Sequence, residues 1–226
     1  MKRKILLTGD SKGLGFKTRI KLEQMGFEVI GLSRNSLDIK FDLSHSDQIK
    51  KLYIEKLKDR GPFFGYINNA AYAYDDIVTN ANQKNIEKMF RVNVISPIML
   101  TKYMIRDMIL NKTEGRFVHI SSISVRTGYK GLSMYASTKG AIEAFSKNVA
   151  REWGKFNIIS NVISPGFMDT DMSSSLNNQQ REKIFKRNSL HRELDIESVV
   201  NSIGFLMGKE SNGITGQTIN VDNGTI

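Results

Sequence analysis

With 226 residues the chain is long enough for one compact α/β domain with a full core. It contains no cysteine, which excludes disulfides, thiolate metal centres and cysteine nucleophiles and suits a reducing compartment. Its 33 Lys and Arg against 23 Asp and Glu give a formal charge of +10. They are scattered, with no arginine-rich arm, zinc-finger spacing or aromatic-basic pattern, so nucleic acid is not the expected partner; a basic surface that tolerates phosphorylated ligands is.

Three prolines, no Gly/Ser-rich tract and no internal repeat predict a single domain over residues 1–226. The basic start, Met1-Lys2-Arg3-Lys4, is followed only by Ile5-Leu6-Leu7 before Thr8-Gly9. That is too short for a signal-peptide core, and no later stretch reaches the length of a membrane span. The cytoplasm, without membrane contact, is the expected location.

The first apolar run, Lys4 to Leu7, ends in Thr8-Gly9-Asp10-Ser11-Lys12-Gly13-Leu14-Gly15, after which Ile20, Leu22 and Met25 predict a helix. In such a strand–turn–helix unit Gly9 permits the tight bend, Gly13 lets the backbone approach a diphosphate, and Gly15 allows close helix packing. The helix N-terminus then offers free N–H groups to phosphate. A second strand, Glu28 to Leu32, ends at Ser33-Arg34. A basic residue stands where NAD-preferring folds place an acid for the ribose 2′-hydroxyl. Arg34, with Lys12 nearby, predicts NADP(H), with NAD(H) as the alternative.

Leu37 to Asp42 alternates like a strand, with Asp42-Leu43 at its end, yet the link from Arg34 is too short for the crossover a parallel pair normally needs. Ser46 to Lys58 reads as a helix, and Phe63 to Ile67 as a buried strand leading into Asn68-Asn69-Ala70-Ala71. From Ala81 to about Ile109 the pattern is helical, interrupted by Asn93, whose amide on its own would be expected to bond backbone. Arg116 to Ile120 is a strand that ends in Ser121-Ser122. The following helix carries Tyr135 and Lys139, then Ile142, Phe145, Val149 and Trp153. Residues four apart share a helix face, so a phenol and an ammonium stand together, and a cation lowers a phenol's pKa. Ile158 to Ile163 is a further strand running into Ser164-Pro165-Gly166-Phe167-Met168-Asp169-Thr170. Ser173 to Arg187 is a polar surface segment with the composition of a lid, Val199 to Met207 is helical, and Thr218 to Val221 is a last strand. Strands alternating with helices predict a doubly wound parallel sheet of about seven strands, a Rossmann fold with ligands at its carboxyl edge.

Over nearly its whole length the chain resembles the short-chain dehydrogenase/reductase family. The shared motifs are Thr8 to Gly15, Asn68-Asn69-Ala70-Ala71, Asn93, Ser122, Tyr135-x-x-x-Lys139 and Pro165-Gly166 with Thr170. Within the family, Ser164 to Met172 and Gly213 to Gly224 are most similar to 3-oxoacyl-(acyl-carrier-protein) reductases, although sugar, polyol and steroid dehydrogenases carry nearly the same phrases. The resemblance implies a catalytic set of Asn93, Ser122, Tyr135 and Lys139. It implies a cofactor site built from Gly9, Ser11, Lys12, Gly13, Leu14, Gly15, Arg34, Asp42, Leu43, Asn69, Ala70, Tyr135, Lys139, Pro165, Gly166 and Thr170.

The implied reaction is hydride transfer between NADP(H) and a carbonyl or secondary alcohol, with Tyr135 as proton donor. The implied substrate is a small molecule, with a carrier-linked 3-oxoacyl thioester first and a sugar, nucleotide-sugar or polyol second. A non-catalytic cofactor-binding sensor is the reading from another class. A homo-oligomer, tetramer or dimer, is implied as well. Three departures stand out: Ala71 in place of glycine, the short link after Arg34, and Ser189, His191 and Asp195-Ile196 where proline and glycine are usual.

Overall fold

The computed structural model describes residues 2–168 and 178–226. Among them, seven strands form one parallel sheet: β1 (Lys4–Thr8), β2 (Glu28–Ser33), β3 (Ile39–Lys40), β4 (Gly65–Asn68), β5 (Gly115–Ile120), β6 (Ile158–Pro165) and β7 (Thr218–Val221). The helices are α1 (Gly13–Gln24), α2 (Ile49–Leu52), α3 (Gln83–Phe90), α4 (Ser96–Leu110), α5 (Ser124–Thr127), α6 (Ser133–Trp153), α7 (Asn178–Phe185) and α8 (Ile196–Met207).

The spatial order β3-β2-β1-β4-β5-β6-β7 reverses direction at β1. The carboxyl ends of β1 and β4 therefore flank the crevice where open α/β sheets bind ligands. Strands covered on both faces need side chains that are apolar on both. Ile5, Leu6 and Leu7 in β1 accordingly have no exposure at all. One core layer packs Leu6, Tyr66 and Phe117 against Ile49, Leu100, Met104 and Val149. The other packs Leu7, Ile67 and Val118 against Leu14, Leu22, Val199 and Ile203. No helix among the described residues is long and apolar enough to cross a membrane.

Four elements differ from expectation. In α1 the buried positions are Leu14, Gly15, Thr18 and Leu22, whereas Ile20 and Met25 are 40% exposed. Ile20 and Leu22 are two residues apart and cannot share a helix face. The strand expected over Leu37 to Asp42 is reduced to Ile39–Lys40, which pairs in parallel with Leu32 and Ser33. Pairing only at the very end of β2 removes the need for a crossover, because the chain turns back locally. Phe41 N–H donates to the Ser33 carbonyl at 3.0 Å, and the Asp38 carboxylate accepts from Gly31 N–H at 2.8 Å, the side chain replacing a missing ladder bond. The helix expected over Ser46 to Lys58 is a chain of short pieces, with 3-10 turns around α2 and a π-turn at Tyr53–Leu57. The long segment from Ala81 is α3 and α4 joined by a π-turn at Arg91–Ile95, and Asn93 is its central residue. Single π-turns inside α-helices frequently mark functional positions.

Candidate active site at the carboxyl edge of the sheet

The glycine turn lies where β1 meets α1. Gly9 has φ +72°, and a Cβ there would sit 2.8 Å from Asn69 Nδ2 and 2.9 Å from the Ala70 Cα. At Gly15 a Cβ would overlap the Gly9 carbonyl, so both positions require glycine for close approach. Gly13 differs: its φ is +53° and the space beside it is open. Lys12, the N-cap of α1, gives no side-chain cap, and the first turn holds no acid. A helix N-terminus with uncapped N–H groups, its positive dipole end and open space in front suits a diphosphate, so the residues present fit a dinucleotide. Ser11 and Lys12 are exposed at this rim, while Leu14 is buried beneath it.

Asn69 and Ala70 act mainly as the brace of the turn. Asn69 Nδ2 donates to the carbonyls of Thr8 and Gly9, both at 3.1 Å, and Thr8 Oγ1 accepts from the N–H groups of Asn69 and Ala70, both at 3.2 Å. Arg34 is exposed at the end of β2. Asp42 follows β3; burial works to raise its pKa, but the Ser44 N–H, at 2.9 Å, and the charges of Arg34 and His45 outweigh it, so the carboxyl is held below its usual value. The Leu43 carbonyl accepts from Ser96 Oγ at 2.6 Å, which fixes this loop to the start of α4.

Between the glycine turn and β3 lies a cluster not anticipated from sequence. Buried Asp10 accepts from Ser36 Oγ at 2.9 Å and from Arg19 at 3.2 Å, and the same guanidinium reaches Asp38 at 2.7 Å. Asp10 Oδ2 also occupies the space where a side chain on Gly31 would go. These contacts hold the abbreviated β2–β3 link in place of a helix.

Asn93 is 2% exposed and its amide is fully engaged. Oδ1 accepts from the Tyr72 N–H at 2.8 Å, and Nδ2 donates to the Tyr72 carbonyl at 2.9 Å and to Thr138 Oγ1 at 3.0 Å. It thus ties the loop after β4 to α6 between Tyr135 and Lys139. Lys139 is 4% exposed, donates to the Ile120 carbonyl at 2.8 Å, and lies 5.5 Å from the Tyr135 ring centroid. Burial lowers its pKa to about 8. The expectation that Lys139 lowers the Tyr135 pKa is not what the geometry gives. The ammonium is held by the Ile120 carbonyl and stands over the ring, while burial first and the Asp75 carboxylate second push the phenol above its ordinary value. Ser122, at the end of β5, accepts from the Ser124 N–H at 3.2 Å, which leaves its own proton for another acceptor. Glu143, one turn beyond Lys139, accepts from Ser121 Oγ at 2.6 Å and from the two terminal guanidinium nitrogens of Arg126, fastening the end of β5 to α6.

Across the crevice Pro165 ends β6, its carbonyl accepting from the Ile123 N–H at 3.1 Å. Gly166 N–H donates to the Val221 carbonyl at 2.8 Å, and a Cβ on Gly166 would come within 2.8 Å of the Asp222 Cα. Thr170 lies outside the described residues, as does part of the expected lid. Asp75 and His119, which face Tyr135 and Lys139 electrostatically, were not anticipated. Both come from separate elements, and no local spacing links them to the motif.

The family model described as enoyl-(acyl carrier protein) reductase matches residues 11–225. A 3-oxoacyl-(acyl-carrier-protein) reductase of Buchnera aphidicola subsp. Schizaphis graminum is 31% identical, covering 99% of this chain and 97% of its own. The L-xylulose reductase of Caenorhabditis elegans is 26% identical, with 98% and 95% covered. Among solved structures, 4-hydroxyisoleucine dehydrogenase complexed with NADH superposes with a TM-score of 0.91 at 26% identity, over 99% of this chain and 98% of that one. With the family model spanning residues 11–225 and a relative 31% identical over 99% of the chain, the chain belongs to the short-chain dehydrogenase/reductase family of nicotinamide-dependent oxidoreductases.

Proposed function

We propose that the protein interconverts a small-molecule ketone and its secondary alcohol with NADP(H). The observation that carries this reading is the placement of Tyr135 and Lys139 one turn apart on α6, against the end of β5 that leads into Ser122, in a sheet whose first strand ends in the glycine turn. Gly9 and Gly13 with the start of α1 hold the diphosphate. Arg34 and Lys12 meet a 2′-phosphate; NAD(H) is the alternative cofactor. Asp42, Leu43, Ala70, Pro165 and Gly166 line the remainder of the site.

Bound there, the nicotinamide supplies or accepts the hydride. Tyr135 gives its proton to the developing alkoxide, and Ser122 donates a hydrogen bond to the same oxygen. Lys139, with a pKa of about 8, exchanges a proton near neutrality and so replenishes the phenol. The side chain of Asn93 is engaged with Tyr72 and Thr138, so its contribution is to hold α6 and the loop in register.

The relatives named as 3-oxoacyl reductases favour a carrier-linked 3-oxoacyl thioester, and the xylulose reductase favours a polyol. The survival of both Tyr135 and Lys139 speaks for turnover over a cofactor sensor. By likeness to the family, we expect a cytoplasmic homo-oligomer, dimer or tetramer, with no nucleic-acid partner. The test is Tyr135→Phe assayed with NADPH against an acetoacetyl thioester and a panel of ketones. Activity should fall at least about a hundredfold, because that is the scale of a positioned acid. A variant within a few-fold of wild type sinks the assignment.

A further inference from the structure

Ser122 lies just past the end of β5, where neighbouring elements hold the chain by different means. Toward β6 the backbone is fixed on both sides of it: Ser121 N–H donates to the Ile163 carbonyl at 2.7 Å, and Ile123 N–H to that of Pro165 at 3.1 Å. Those bonds set where Ser122 stands along the sheet. They do not set how far it stands from α6, the helix that carries Tyr135.

The side chain of Glu143, on α6, supplies that second constraint. Its Oε1 accepts from buried Ser121 Oγ at 2.6 Å and from Arg126 Nη1 at 3.1 Å, while Oε2 accepts from Arg126 Nη2 at 2.7 Å. One carboxylate therefore grips the residue before Ser122 and, through Arg126, the short helix α5 after it. Exposed ion pairs contribute little, but this carboxylate is only 12% exposed, and its fork with a guanidinium fixes direction as well as distance. Lys139 also joins α6 to the strand end, at the Ile120 carbonyl, yet it does so on a flexible stem.

We propose that Glu143 is a positioning residue for Ser122: it sets the distance between the Ser122 hydroxyl and Tyr135, so that both meet the same substrate oxygen. The proposal rests on the reductase reading above and adds to it a residue that acts through Ser122 rather than on the substrate. Donors to a developing oxyanion work by being preorganised, and a small misplacement forfeits much of their effect. Loss of Glu143 therefore appears in turnover, not in cofactor binding.

The experiment is a double-mutant cycle of Glu143→Ala with Ser122→Ala, with NADPH and an acetoacetyl thioester or, where that is not turned over, the fastest ketone of the panel. Ser122→Ala should lower kcat about a hundredfold or more, the scale of a lost oxyanion donor. Glu143→Ala should lower kcat about tenfold when Ser122 is present and less than about twofold when it is alanine, with NADPH affinity unchanged by fluorescence titration. Glu143→Gln, which keeps an acceptor for Ser121 without the charged fork, should fall between. Should Glu143→Ala not fold, as judged by circular dichroism, Ser121→Ala and Arg126→Ala each remove one arm of the grip and carry the same cycle. An unchanged kcat, losses of equal size in both backgrounds, or weakened NADPH binding overturns the proposal and leaves the reductase reading intact. Ser122→Ala at the wild-type rate removes the role of Ser122 and the proposal with it; a wild type that reduces no carbonyl removes the reductase reading as well.

Discussion

His119 stands in β5 next to Ile120, whose carbonyl holds Lys139. It has no exposure, and neither ring nitrogen has a partner among the described residues. Its ring meets Tyr66 and Phe145 edge-on at 6.1 and 5.9 Å. Burial, and then the Lys139 ammonium, lower its pKa from 6.5 to about 3. In the unfolded chain the imidazole takes up a proton below 6.5, while in the folded chain it stays neutral, so the unfolded state binds more protons across that window. The associated stability is present above pH 6.5 and is lost as the pH falls towards 3. Lys139, at about 8, stays protonated throughout and does not contribute to the change. Between pH 7 and 5 the wild type should lose about 2 kcal/mol more stability than His119→Phe, measured by urea unfolding at both pH values. Parallel losses in the two proteins refute the account. This residue also marks where reading the chain alone stops. Tyr135, Lys139 and Ser122 are legible because a one-turn spacing and a strand end are local facts. The burial of His119 and the position of Asp75 depend on which elements close over them.

At the level of elements, the glycine turn was legible because each glycine answers to a different local demand, whereas the buried face of α1 was not. Gly15 packs where a Cβ would overlap the Gly9 carbonyl and lie 2.6 Å from Asn69 Nδ2, whereas Gly13 has a left-handed φ of +53° with open space beside it. Gly15→Ala should therefore destabilise by about 1–3 kcal/mol through overpacking against backbone. Gly13→Ala should cost about 1 kcal/mol from backbone strain alone. Thermal melts should rank Gly15→Ala as the less stable variant. Fluorescence titration with NADPH should show Gly13→Ala binding more weakly than wild type, since its Cβ enters the space left for the diphosphate. A Gly15→Ala protein as stable as Gly13→Ala contradicts the packing assignment. The β2–β3 link resisted reading because its support is not local: Asp38 reaches back to Gly31, and Arg19 of α1 joins Asp38 to Asp10. The π-turn was half visible, as a polar residue in an apolar helical sector. That its amide would join Tyr72 to Thr138 depends on the loop and α6 arriving from opposite sides.

For the whole molecule, the alternation of strands and helices was enough to define a doubly wound sheet, and the crevice between β1 and β4 follows from its reversal of winding. Assembly is a separate matter, argued from what the outer helices leave uncovered. Ile95 before α4, Leu110 at its end and Phe156 after α6 are 44%, 78% and 42% exposed. Along α6, Ser137 and Ala144 are exposed and Gly140 and Ala141 are half-buried, so the outward face carries small side chains that allow a second helix to approach closely. Two copies related by a two-fold axis would place the same patch against itself, the self-complementary arrangement usual in homo-oligomers. Ala144→Arg inserts a long charged chain into the middle of that face. Sedimentation velocity at micromolar concentration should show the wild type as a dimer or tetramer and Ala144→Arg one association step smaller, with unchanged circular dichroism. A monomeric wild type, or a variant that sediments with it, excludes α6 as the contact.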